Sequence, residues 1–445
     1  MRILHTSDWH LGHTLHGLPR DHEHAAFLGW LRQVLLEEQV DVLLVSGDVF
    51  HTANPSAQAI TTWYGFLSQV VGDNDTLQVV VIAGNHDSPA RLQAPHPILS
   101  QMRVQVVGQV RDAAGNLDMD RLVVPLNDRT GAVRAVCAAV PFLRPGDVAV
   151  NPGGEEADDR DLLVEGVRDV YAQVLAAARS KHEGQALPMV VMGHAYMTGS
   201  ALSELSERKV LGGNQHALPT DIFPEDVAYV ALGHLHLAQA VGGRQNVRYS
   251  GSPIPLSLAE SSYEHQVCVV DLAQPADSTA DSAPDVRFLH VPRAVDIMRV
   301  PKAGAAPLSW VLQRLAELPA REEYLDDDTR PYLEVVVKMD GPEPGLRTQI
   351  EEALAGRAPR MVRLAVERPG REQALADAAT VETLHDLTPE QVFRSLYQKA
   401  RADRKSDQES DREPKPKPEP EPEPELMAAF HELVDLVGQQ DGAGG

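Results

Sequence analysis

Seven side chains able to hold a metal ion stand in five short clusters in the first half of the chain. They are Asp8 and His10 in Asp8-Trp9-His10, Asp48 after Gly47, and Asn85 in Gly84-Asn85-His86-Asp87; His194 after Gly193 and the pair in Gly233-His234-Leu235-His236 complete them. Two divalent ions about 3.5–4 Å apart need carboxylate, imidazole and amide donors converging from several segments, with one carboxylate shared between them. A pair of that kind acts as a Lewis acid and activates water, and few other chemistries need that donor set. Any one of these residues by itself reads as a turn residue or a helix cap.

The elements that must position these residues are short apolar runs. Val42-Leu43-Leu44-Val45, Val79-Val80-Val81-Ile82, Met189-Val190-Val191-Met192 and Val227-Ala228-Tyr229-Val230-Ala231 are rich in β-branched residues and show no polar alternation. That composition predicts strands buried on both faces. Each run ends one to three residues before its ligand, and in open α/β sheets ligands gather beyond the carboxyl ends of strands. Helices are expected over residues 23–38 and 56–71. The second places Trp63, Phe66, Leu67 and Val70 on one stripe, which either packs on its own sheet or forms a dimer surface.

The order D-x-H, G-D, G-N-H-D, G-H and G-H-x-H runs from Asp8 to His236 with no ligand missing, and it resembles the signature of the calcineurin-like metallophosphoesterases. The resemblance implies that Asp8, His10, Asp48 and His236 hold one ion, that Asp48, Asn85, His194 and His234 hold the other, and that Asp48 is the bridge. It further implies that His86 protonates the departing sugar oxygen, that Asp87 orients or polarises its ring, and that His51 stabilises phosphate charge. His5, His13, His16, His22 and His24 read as structural or surface histidines. Asp48 continues as Val49-Phe50-His51, not as the D-R-G of the Ser/Thr protein phosphatases, and Ser88 stands where those enzymes have Glu.

The opening from Met1 to Gly12, the block Pro141-Phe142-Leu143-Arg144-Pro145 and the stretch from Tyr249 to Ser257 are similar to the bacterial branch of the double-strand-break repair nucleases. The implied fold is an α/β metallophosphoesterase β-sandwich flanked by helices, with a small α+β cap domain and a helical C-terminal tail. The implied activity is that of a two-metal DNA nuclease, a double-strand exonuclease and hairpin or single-strand endonuclease, working with a partner ATPase in repair and recombination. A homodimer within a heterotetramer goes with it. A phosphodiesterase or phosphatase acting on a small molecule would share every ligand, but would leave the cap and tail without a clear use. A non-catalytic scaffold is disfavoured because the ligand set is complete.

At 445 residues the chain exceeds what one core supports, so two or three domains are expected. The only cysteines, Cys137 and Cys268, lie in apolar runs and read as buried free thiols. With no thiolate among the ligands, the donor set suits a hard ion such as manganese, magnesium or iron(II), and two manganese ions are the expectation. The N-terminus enters a strand directly and no run approaches roughly 18 apolar residues, so a cytoplasmic protein without membrane contact is expected. The net charge of −24 opposes DNA binding by a basic footprint. Bound cations offset part of it, and a partner supplying most of the DNA affinity fits the balance. Arg20, Arg91, Arg144, Arg208 and Lys209 lie in loop-like segments near the clusters and are the candidate DNA contacts.

Residues 1–290 are read as the phosphoesterase region, with 273–285 as a long turn between its last two strands. The pattern resets in 291–370: strand 294–300, helix 308–318, strand 332–339, helix 346–354 and strand 360–366, with no ligand at any strand end. The remainder, 371–445, carries an acidic, proline-rich linker at 402–425 between two apolar helix faces. Thr388, Pro389 and Gln391 form a capping box ahead of Phe393, Leu396 and Tyr397. Phe430, Leu433 and Val437 mark the second face, which either folds back on 374–400 or, as the resemblance implies, docks on the coiled-coil base of the ATPase.

Overall fold

The computed structural model describes residues 1–148, 159–181, 187–201, 217–272, 284–322, 326–341 and 343–368. The chain divides into the units Met1–Glu367 and Arg368–Gly445, and the described residues belong to the first apart from Arg368. Phe393, Leu396, Tyr397, Phe430, Leu433, Val437 and the capping box at Thr388 therefore lie outside the described residues, as do Arg208 and Lys209.

Two six-stranded sheets build the larger part. The first runs Asp285–His290, Gln266–Asp271, Arg2–Thr6, Val42–Ser46, Gln78–Ile82, Val104–Val107, its last four strands parallel. The second runs Gln239–Val241, Arg244–Tyr249, Val227–Gly233, Met189–His194, Val133–Ala139, Val123–Asn127, with four parallel strands at its centre. Because side chains alternate across a strand, the expected apolar runs serve two cores at once. Ile3, Val42, Leu44, Val80 and Ile82 join the core shared with Val136, Val191 and Val230 of the other sheet. Leu4, Leu43, Val45, Val79 and Val81 point the other way, into a core closed by the helices Asp21–Glu37 and Ala57–Asp73. The helix Asp159–Lys181 adds Val167, Val170, Tyr171 and Val174 to the first core.

Trp63, Phe66, Leu67 and Val70 are all buried in the second core, with the Trp9 ring edge-on to Trp63 at 5.5 Å and to Phe66 at 5.4 Å. The stripe thus packs on its own sheet and has no surface left for a dimer contact. Each of these aromatics removes about 150–250 Å² from water, on the order of 4–6 kcal/mol before the cost of ordering it.

The segment from Ile297 onward forms its own parallel sheet, with Tyr332–Lys338 between Ile297–Val300 and Arg360–Glu367, and with the helices Leu308–Ala316 and Leu346–Ala353. Val311, Leu315, Leu333, Val335, Val337 and Ile350 fill its core. Leu15, Leu258, Val295 and Tyr332 pack this cap onto the larger part. Arg20, expected at the DNA, belongs to that seam. It is buried, pairs with Glu23, donates to the Pro255 carbonyl at 2.8 Å and lies over the Tyr332 ring, while the Tyr332 hydroxyl donates to Glu23 at 2.9 Å. A guanidinium committed in this way cannot reach a phosphate.

Candidate metal centre

Strained backbone marks the place where the clusters meet. Asp8, His10, Asp48 and His234 have φ of 55°, 47°, 50° and 107°, values that side chains with a Cβ rarely adopt. Neighbouring segments hold these turns in place. The amides of Asp8 and His10 donate to the carbonyls of Gly47 and Asp48, the amide of His234 donates to Asp8 Oδ1 at 3.0 Å, and that of His86 to Asp48 Oδ1 at 2.9 Å. The fit leaves no room for a methyl group at Gly47, Gly84 or Gly233: a Cβ on Gly47 would strike the His194 ring, one on Gly84 the Asp48 carboxylate, and one on Gly233 the Ser46 carbonyl.

The polar atoms inside this frame face one another with too few protons to satisfy them all. His194 Nδ1 donates to the Ser46 carbonyl at 2.8 Å, which turns Nε2 toward Asn85 Oδ1 at 3.0 Å and Asp48 Oδ2 at 3.4 Å. Asn85 Oδ1 also lies 3.0 Å from His234 Nδ1. On the other side of Asp48, His10 Nε2 is 3.5 Å from Oδ2, buried and without a hydrogen-bond partner. One donor atom each from Asp8, His10 and His236 lie within 4.8 Å of one another, and so do donors from Asp8, Asp48 and His194. In octahedral coordination at about 2.0–2.1 Å, adjacent donors stand about 3 Å apart. The spacing, the lone pairs and the orphaned His10 nitrogen all fit a divalent cation on each side of Asp48.

Charge in the cluster follows from burial and proximity. Burial pushes Asp8 up to about 6 against the pull of His194 and His236. Burial also opposes ionisation of Asp48, but His194, His10 and His86 outweigh it and hold that carboxyl well below the usual range. Burial pulls His194 down, Asp48 and Asp8 pull harder the other way, and the ring ends near 9; burial takes His234 down to about 3. The ionised Asp48 thus faces a proton on His194, which a metal ion would have to displace.

His86 sits beside this cluster, its ring 4.8 Å from that of His10. Its Nδ1 lies 2.8 Å from the His51 carbonyl, a contact that places a proton on Nδ1 and orients the ring. Asp87, expected to orient His86, does something else. Its carboxylate accepts from the amides of Val49, Phe50 and Gly84 at 3.2, 2.9 and 2.9 Å, which ties together the turns carrying Asp48 and Asn85. The His51 Nδ1 lies 3.3 Å from His10 Nδ1. Arg144 donates to the Asp87 carbonyl at 3.1 Å, and exposed Arg91 to Asn54 at 2.6 Å. His5 and His24 are buried and bonded within the fold, His5 to Tyr229 and the Leu232 carbonyl, His24 to the Trp9 carbonyl.

Two contributors carried no motif. Glu260 is buried and holds His236 Nδ1 at 3.1 Å, a carboxylate behind an imidazole of the kind that orients metal ligands. Ser7 donates to Asp8 Oδ2 at 2.6 Å.

A family model described as calcineurin-like phosphoesterase matches residues 1–238, which hold every donor named above. A second, described as type 5 capsule protein repressor C-terminal domain, matches residues 293–401. The chain is 40% identical over 400 residues to the D subunit of the SbcCD nuclease of Rhodobacter capsulatus, covering 89% of this chain and 94% of that one. It is 32% identical to the Escherichia coli K12 protein of the same name over 92% and 95% of the two chains, and 33% identical to that of Bacillus subtilis over 62% and 67%. The chain therefore belongs to the calcineurin-like phosphoesterases and, within them, to the family of SbcCD nuclease D subunits. It is a metal-dependent phosphodiester hydrolase of the nuclease type. Among the described residues no helix is long and apolar enough to cross a membrane.

Proposed function

We propose that this chain cuts DNA as the nuclease component of a cytoplasmic complex with an SbcC-type ATPase, acting as a homodimer within a heterotetramer and using two manganese ions. The observation that carries this reading is the pair of donor sets meeting at Asp48, with His86 beside them and outside both. Asp8, His10, Asp48 and His236 would hold one ion, and Asp48, Asn85, His194 and His234 the other. When bound, such ions supply Lewis acidity toward the scissile phosphate and toward water.

The remaining work falls to side chains. His86, with Nδ1–H anchored on the His51 carbonyl, presents Nε2 to carry the proton that the departing sugar oxygen needs. His10 must keep its Nε2 lone pair for an ion, so its Nδ1–H donates to His51 Nδ1, and His51 keeps a proton on Nε2 to offer a phosphate oxygen. Arg144 and Arg91 would contact the DNA backbone, and Arg144 uses one of its nitrogens to hold the Asn85–Asp87 turn. The net charge of −24 leaves most of the affinity to the partner.

The test is cleavage of end-labelled linear, hairpin and single-stranded DNA by metal-stripped protein given manganese or magnesium, with and without the ATPase and ATP. Hydrolysis of a chromogenic phosphodiester with no DNA cut would sink the nuclease reading in favour of a small-molecule substrate. A chain ending near residue 370 should keep metal-dependent cleavage and lose the ATPase in co-purification; full-strength capture would overturn the role given to Phe393–Tyr397 and Phe430–Val437.

A further inference from the structure

An apolar pocket of about 510 Å³, counting its open mouth, shares a wall with the metal centre. His194 forms that wall, and Phe142, Tyr196, Leu143, Leu163 and Tyr171 are among the other lining residues. The Phe142 ring stands edge-on to the His194 ring at 6.2 Å, and the Arg144 guanidinium lies 5.5 Å over Phe142. Tyr171 is only 2% exposed and contributes to the pocket lining.

We propose that this pocket receives one nucleobase of the strand being cut, the base beside the scissile phosphate, stacked on Phe142 and Tyr196 with its polar edge toward the Tyr171 hydroxyl. The inference rests on the nuclease reading of the same site. A phosphate held against His194 has its base one sugar away, which puts the pocket within reach. Its lining is mostly aromatic and aliphatic, with Tyr171 and Tyr196 as the hydroxyl-bearing side chains, which suits a neutral heteroaromatic ring better than a phosphate. Arg144, with donors beyond the one used on Asp87, stands where the neighbouring phosphate would pass. A base inside a duplex is stacked and paired, so the occupant comes from a single strand, a hairpin loop or a frayed end.

The experiment uses the full chain with manganese and single-stranded oligonucleotides that are intact or carry an abasic site on one side or the other of a defined cleavage position. Loss of the base at one of the two positions should raise KM by about 5- to 150-fold, the range of one stacked base. Phe142→Ala should raise KM for the intact strand within the same range and leave the abasic strand unchanged. Tyr171→Phe should alter the ratio of rates among the four bases at that position while metal content stays constant. Equal cutting of intact and abasic strands by the unaltered chain overturns the proposal and leaves the pocket to another segment of the chain itself. So does a Phe142→Ala defect of equal size on both strands. Failure to cut either strand even with the ATPase partner and ATP present rejects the nuclease reading with it.

Discussion

The strand units around Val42–Ser46 and Tyr332–Lys338 are made alike, each a buried parallel strand flanked by helices, but they treat buried charge in opposite ways. In the cap, the Glu334 carboxylate meets Arg299 at 2.9 Å and Arg363 at 2.7 Å, so its charge is answered by side chains already in place. At the end of Val42–Ser46, the Asp48 carboxylate faces ring nitrogens of His194 and His10 at 3.4 and 3.5 Å, both of them atoms that can bind a cation when they carry no proton. One network is complete with the chain's own atoms. The other needs cations from outside, and a buried polar set left incomplete in this way is the physical mark of function.

The contrast breaks first at Asp48. Asp48→Ala should abolish cleavage and release both ions together, because the shared carboxylate serves both donor sets. Metal analysis showing one ion kept at full affinity would remove the bridge. His86→Gln should lower the rate by about 10²–10⁴-fold, as expected for a lost general acid, with both ions retained. Loss of an ion would make His86 a ligand, and an undiminished rate would take it out of the reaction. Glu260→Gln should weaken metal binding or activity by about 10- to 100-fold through the His236 ring it orients, a change read in a metal titration. At the other end of the scale, Glu334→Gln in the cap should leave the rate constant untouched. Its arginine partners are part-exposed, so the change should cost about 1 kcal/mol in a urea unfolding curve. A catalytic defect there would show that the cap's ion pairs belong to the reaction after all.

Much of this is legible in local pattern alone. The apolar runs 42–45 and 79–82 form strands because nothing polar interrupts them, and Ser56 caps the helix Ala57–Asp73 by accepting from the Ala59 amide. Ladder pairing continues two residues further than the 189–192 run suggests, through Leu232 with Gly193 and Gly233 with His194, so that ligand ends its strand instead of following it. What stays hidden depends on distance along the chain. Arg20 reads as a loop cation until Pro255 and Tyr332 arrive from over two hundred residues away. Asp87 sits next to the histidine that its position suggests it serves, but its carboxylate turns to backbone amides 37 and 38 residues earlier. Glu260, with no spacing rule to mark it, is placed by the fold of its own loop.

The hollows at Gly47 and Gly84 bear on how such sites can be moved or found. Each is a space shaped by a side chain from another segment, the His194 ring in one case and the Asp48 carboxylate in the other. The four letters G-N-H-D are therefore not a portable part. Grafted onto a different turn they would bring the asparagine and the histidine but no partner to fill the gap the glycine leaves, and a pattern search will meet the same letters in chains that never form it. An engineer wishing to install this centre in a new scaffold has to transplant several strand ends in one step.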